Sequence, residues 1–143
     1  MKRASWLLVA VFLVVMSAAT IATAAIQAGQ YITSYEAGIT SPSDNTVKVS
    51  FSITATETID MVGVKTIILQ EKASLTDEWS AIKTYSYLDY SNMMREDAVV
   101  TNSNVTYTSA VGGYYYRAKV YFYAENGGYD TRELITSSVQ AKP

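Results

Sequence analysis

The chain has 143 residues, room for one domain, and carries 11 Lys and Arg against 13 Asp and Glu. It contains no His and no Cys. That excludes disulfide staples and thiol nucleophiles, deprives zinc of its usual ligands, and leaves acid–base chemistry near neutral pH to carboxylates alone.

In chain order, Lys2 and Arg3 precede an unbroken apolar run from Trp6 to Met16, followed by the small residues Ser17, Ala18, Ala19, Ala22, Thr23, Ala24 and Ala25. Basic, apolar and small residues in that order predict a secretory signal peptide over residues 1 to 28, with cleavage after Ala24, Ala25 or Ala28. The apolar run falls short of the roughly 20 residues that a membrane span needs. If the segment is retained as an anchor, Lys2 and Arg3 hold its start inside, so the domain at 29 to 143 faces outward either way. Without Lys2 and Arg3 the bases number nine against 13 acids, a net charge of −4. A mildly acidic product of this kind is expected to avoid nucleic acid and anionic membranes. With neither a lipid-bearing cysteine nor an apolar C-terminal tail, it is expected to be released unless contacts hold it.

The remainder alternates with a period of two. Tyr31 to Thr40 reads as a strand, stopped by the turn cluster Ser41 to Asn45. From Thr46 to Ala55, Val47, Val49, Phe51, Ile53 and Ala55 fall on one side and Lys48, Ser50, Ser52 and Thr54 on the other. Val62 to Glu71 is apolar on both sides near Ile67, Ile68 and Leu69, which suits a central strand. Trp79 to Leu88 follows the polar turn Ser74 to Glu78, with Trp79, Ala81, Lys83, Tyr85 and Tyr87 on one side. Asp89 to Val100, with Met93 and Met94 inside it, is expected to be an irregular loop carrying one helical turn. Asn104 to Ala110 is a short strand, and Gly112-Gly113 a turn. Tyr114 to Ala124 places Tyr116, Ala118, Val120, Phe122 and Ala124 on one face and Tyr115, Arg117, Lys119, Tyr121 and Tyr123 on the other. Asn126-Gly127-Gly128 closes a hairpin, and Tyr129 to Val139 is the last strand. About seven short strands at these spacings predict an all-β fold, a single antiparallel β-sandwich without helices.

The segment from Val105 through Tyr107, Gly113 and Tyr116, continuing to Val120, Phe122, Ala124 and Asn126-Gly127-Gly128, resembles the second half of a fibronectin type III domain. The resemblance implies an immunoglobulin-like sandwich in which Tyr116 packs at a corner. The sequence departs from that pattern by two extra residues between Tyr116 and the loop, and by the lack of a tryptophan in the strand from Thr46. The signal segment, Tyr31-Ile-Thr-Ser-Tyr35, Val47-Lys-Val-Ser-Phe51 and the late tyrosine-rich strand are together similar to small exported proteins of Clostridia-type Firmicutes. That resemblance implies a bacterial source and an extracellular product. It implies no activity.

Few motifs suggest chemistry. Ser80-Ala-Ile-Lys83 and Ser43-Asp-Asn45 match two elements of penicillin-recognising enzymes, but in reversed order, without a Lys-Thr-Gly and with Ser80 on a strand. Asp77-Glu78 and Glu96-Asp97 are adjacent pairs whose members point apart on a strand. A calcium site near Asp44, Asp77 or Asp130 has no supporting loop spacing. The sequon Asn104-Val105-Thr106 marks only a polar edge in a bacterial product. No catalytic residue, metal site or cofactor is therefore expected.

All 12 tyrosines lie beyond residue 28. Tyrosine is a good strand residue, yet Tyr115, Tyr121 and Tyr123 share a face with Arg117 and Lys119, and such rings can stack on sugars or anchor a protein partner. The expectation is a non-enzymatic exported module whose tyrosine-rich face meets an unidentified protein or glycan at the cell surface. Edge-to-edge self-association is the main alternative. A small hydrolase, or an inhibitor of one acting through the Asp89 to Val100 segment, is a more remote alternative.

Overall fold

The computed structural model describes residues 30–143. The expected signal peptide, residues 1 to 28, lies outside the described residues, and so does its cleavage zone. The described chain is β1 (Ile32–Thr40), β2 (Val47–Lys72), β3 (Ser80–Ser86), β4 (Met94–Tyr107), β5 (Tyr115–Glu125), β6 (Tyr129–Ile135) and β7 (Val139–Gln140), with one 3₁₀ turn at Ser91–Met93 before β4. All strand pairings are antiparallel and join into one seven-stranded sheet.

The sheet is organised by β2, which is 26 residues long. Its first half is flanked by β1 and by the C-terminal part of β4. Its second half is flanked by β5 and β3, with β6 and β7 lying beyond β5. The sheet curls between the halves into a half-barrel, bringing the Tyr35 ring on β1 to 5.2 Å from Phe122 on β5. Inside the curl lies one apolar core that includes Ile32, Val47, Phe51, Ile53, Ile67, Leu69, Tyr116, Val120 and Phe122.

Two expected strands, Thr46 to Ala55 and Val62 to Glu71, are thus a single strand. Alternation is lost at Thr56, Glu57 and Thr58, all exposed, and the register with β4 slips between Thr54 and Ile59. The backbone stays extended because β4 continues to pair on the far side, from Ile59 with Ala98 to Gly63 with Met94. The expected loop at Asp89 to Val100 is corrected by the same pairing. Only Ser91–Met93 is helical, and β4 begins at Met94. Met93 is fully buried, so it belongs to the core rather than to an exposed loop. The expected last strand, Tyr129 to Val139, is divided at Thr136, whose hydroxyl accepts from the Ala118 N–H.

Turn chemistry and the C-terminus close the structure. Asn45 adopts the left-handed conformation, with φ 54°. Its side chain donates to the Ala110 carbonyl, and its N–H donates to the Lys142 carbonyl. Gly113 and Ala141 complete the junction, Gly113 N–H donating to Ala141 and Ala141 N–H to Tyr114. Tyr116 sits beside this junction. It is fully buried, accepts from the Val111 N–H at 2.7 Å and donates to Glu71 Oε2 at 2.9 Å.

Candidate functional site

The outward face of the β3–β2–β5–β6 half collects the expected residues. Along β5 the buried Tyr116, Ala118, Val120, Phe122 and Ala124 alternate with Tyr115, Arg117, Lys119 and Tyr121, all half-buried. Cross-strand register adds the outward neighbours. Lys72 stands opposite Tyr115, Gln70 opposite Arg117, and Thr66 opposite Tyr121 on β2. On β6, Ile135 faces Lys119, Glu133 faces Tyr121 and Thr131 faces Tyr123. Thr84 of β3 lies opposite Ile68.

A β-bulge between Val64 and Thr66 adds Lys65 to this face. Its Nζ stands 3.8 Å from the centre of the Tyr123 ring. Tyr129 stacks on that ring at 6.0 Å between centroids and 22° between planes. Tyr123 is consequently only 8% exposed, whereas Tyr129 is 69% exposed. Tyr123 was expected to offer a free stacking surface. Instead its ring is a post that supports Lys65 and Tyr129, and Tyr129 presents the open ring. The Tyr123 hydroxyl donates to Glu125 at 2.6 Å. That hydrogen bond first, and burial second, push its pKa up to about 12.

A second post stands at the other end of the face. Trp79 lies between strands, just before β3, with Lys72 Nζ and the Arg117 guanidinium carbon each 4.6 Å from its ring. Arg117 Nε also donates to Gln70 at 2.8 Å, and Lys72 Nζ to the Leu75 carbonyl at 3.3 Å. Each ring contact contributes roughly 0.5–1 kcal/mol at an exposed site. These partners are rings and neutral oxygens, so they fix the cations in place without cancelling their charge. Lys65, Lys72, Gln70, Trp79 and Tyr129 were not singled out by sequence. Lys65 depends on a bulge and Trp79 on a register shift in β3, opposite Leu69 and Gln70, and neither leaves a mark in composition.

Elsewhere, carboxylates serve the backbone. Asp130 accepts from the Tyr31 N–H at 2.7 Å, and Asp77 from the Ser74 N–H at 3.0 Å. Among the described residues, no three acidic side chains gather at metal-binding distance. No helix among them is long and apolar enough to cross a membrane. A shallow depression of about 270 Å³ lies away from the tyrosines, over the β1–β2–β4 half, lined by Glu36, Ala37, Gly38, Ser50, Phe51, Ser52 and Asn102. It is open and holds one charged side chain. The cation-bearing face has the greater density of fixed functional groups, and we centre the site there.

No protein-family model and no curated protein matches the chain. Among solved structures, the sporulation control protein Spo0M from Bacillus subtilis is similar at a TM-score of 0.42 and 7% identity, over 76% of this chain and 49% of that one. The chain thus corresponds to about half the length of that protein.

Proposed function

We propose that the protein is an exported, non-enzymatic binding module that meets a partner through the outward face of β5 and its neighbours. The observation that carries this reading is the row Trp79, Lys72, Arg117, Lys119, Lys65 and Tyr129. Three of its four cations, Lys65, Lys72 and Arg117, are held by rings rather than by acids. A face needed only for folding gains nothing from keeping four cations un-neutralised on a domain of net charge −4. Export rests on the basic, apolar and small-residue order of residues 1 to 28. Kinship with immunoglobulin-like and fibronectin type III-like sandwiches is part of the same proposal, and the corner hydrogen bond from Val111 to Tyr116 supports it.

The test is a variant with Tyr115→Ser, Tyr121→Ser and Arg117→Gln, compared with the parent on a panel of cell-surface glycans and intact bacterial cells. These positions are half-buried on the outward face, so a melting curve close to the parent's is expected, with loss of the binding signal. Retained binding by the folded variant would contradict the proposal.

A further inference from the structure

The chemistry of the face narrows the class of partner, taking as given that this face binds. We infer that it holds an acidic polysaccharide, a chain of sugar rings carrying carboxylates at intervals. Three observations converge on that occupant.

The cations run along the face, with Lys72 and Arg117 together on Trp79 at one end and Lys65 on Tyr123 at the other. Arg117 and Tyr123, the latter beneath Lys65, are six residues apart on one extended strand, which is about 20 Å at the usual strand rise. Lys72 lies at the Arg117 end and Lys119 between the two ends. Four positive charges along that distance suit a polymer with one anion per sugar or two. A nucleic acid duplex presents a phosphate about every 1.7 Å of its length, more densely than four cations along this face can match.

The second observation is that the rings beneath these cations are already occupied. Lys65 and Tyr129 cover Tyr123, while Lys72 and Arg117 pack on Trp79. A neutral glycan that relied on stacking would find Tyr129 open and Tyr115 and Tyr121 half-exposed, but neither Tyr123 nor Trp79 free. An anionic one finds pre-positioned cations at low ordering cost, with Tyr129 as a supplementary platform.

Third, the binding surface is the middle of a sheet face, flanked by hydroxyl and amide side chains. Thr66, Gln70, Thr84 and Thr131 stand among the cations. An added peptide strand would pair with a sheet edge through its backbone. The backbone here is already paired on both sides of β2 and β5. The groups left to a ligand are side-chain hydroxyls, an amide and cations, which match a polyhydroxylated acid.

The experiment is a titration of the purified protein with polygalacturonate, with neutral dextran and polyglutamate in parallel. Polygalacturonate is expected to bind at about 50 mM NaCl and to weaken about tenfold or more at about 500 mM, because screening shortens the reach of these charges. Lys119→Glu is expected to weaken it by about tenfold while leaving the melting curve in place, the order expected when one attraction becomes a repulsion. Dextran binding that equals it and ignores salt would overturn the anionic inference and leave the face as a neutral glycan site. Tighter binding of polyglutamate would overturn it in favour of an acidic protein. No polygalacturonate binding at low salt would overturn it too, while loss or retention of cell-surface binding in the Tyr115, Tyr121 and Arg117 variant decides the wider reading separately.

Discussion

Replacing Tyr116 with Phe isolates one polar junction from a large packing interaction. The ring is fully buried and would stay in place, so the cavity term is near zero. What disappears is the hydroxyl that accepts from Val111 and donates to Glu71. The Val111 N–H loses its partner at a part-buried position, which costs about 1–3 kcal/mol, and the bond to the carboxylate is lost as well. We take about 2 kcal/mol as the expected sum, because water reaches Glu71 and replaces part of that bond. On a domain of this size that is a fall in Tm of about 8 °C. Urea unfolding followed by circular dichroism gives the free energy directly. Tyr121→Phe on the half-buried outward face is the control, expected to stay within about 0.5 kcal/mol of the parent. If Tyr116→Phe also stays within that margin, the corner hydrogen bond does not close the turn.

Two further outcomes follow from contacts on the other strands and from the remaining tyrosines. In Gly63→Ala the new Cβ would collide with the Met93 carbonyl oxygen and lie 2.7 Å from Met94 Cα. Both are backbone atoms, in the 3₁₀ turn and at the first residue of β4, so a loss of about 3 kcal/mol is expected by thermal melting. The alkaline limb of stability is set by Tyr85, Tyr116 and Tyr123, each pushed up to about 12 in the fold, Tyr85 and Tyr116 chiefly by burial. An unfolded tyrosine titrates near 10, so between about pH 10 and 12 the folded state holds protons that the unfolded state has released. The stabilisation these tyrosines provide is complete below about pH 10 and is lost as pH rises through about 12. Urea midpoints are expected to be level from pH 8 to 9.5 and to fall above pH 10. A flat profile to pH 12 would contradict the assignment.

The sequence made the strands legible wherever one side faces the core, because burial writes a period of two. Val47 to Ala55 and Tyr116 to Ala124 are the clearest cases, and their inward residues are the buried ones. Legibility failed where pairing, rather than burial, defines the strand. The Asp89 to Val100 segment is acidic and broken in pattern, yet its second half from Met94 is strand because β2 supplies backbone partners. The join between the halves of β2 was hidden for the same reason, since Thr56, Glu57 and Thr58 bury nothing. For the site, the β5 face was readable from alternation alone. Its supporting contacts were not. Lys65 reaches Tyr123 through a bulge, and Trp79 meets Arg117 across strands 38 positions apart in numbering, from 79 to 117. The reading of Tyr123 as an open ring failed on those contacts.

The proposed working surface is the outward face of β5. Amide chemical shifts followed by NMR while the protein is titrated with a cell-surface glycan preparation test it most directly. Saturable shifts are expected at Tyr115, Arg117, Lys119, Tyr121 and Tyr123, spreading to Lys65, Lys72 and Tyr129. Shifts confined to Glu36, Gly38, Ser50, Ser52 and Asn102, around the depression on the β1–β2–β4 half, would contradict it.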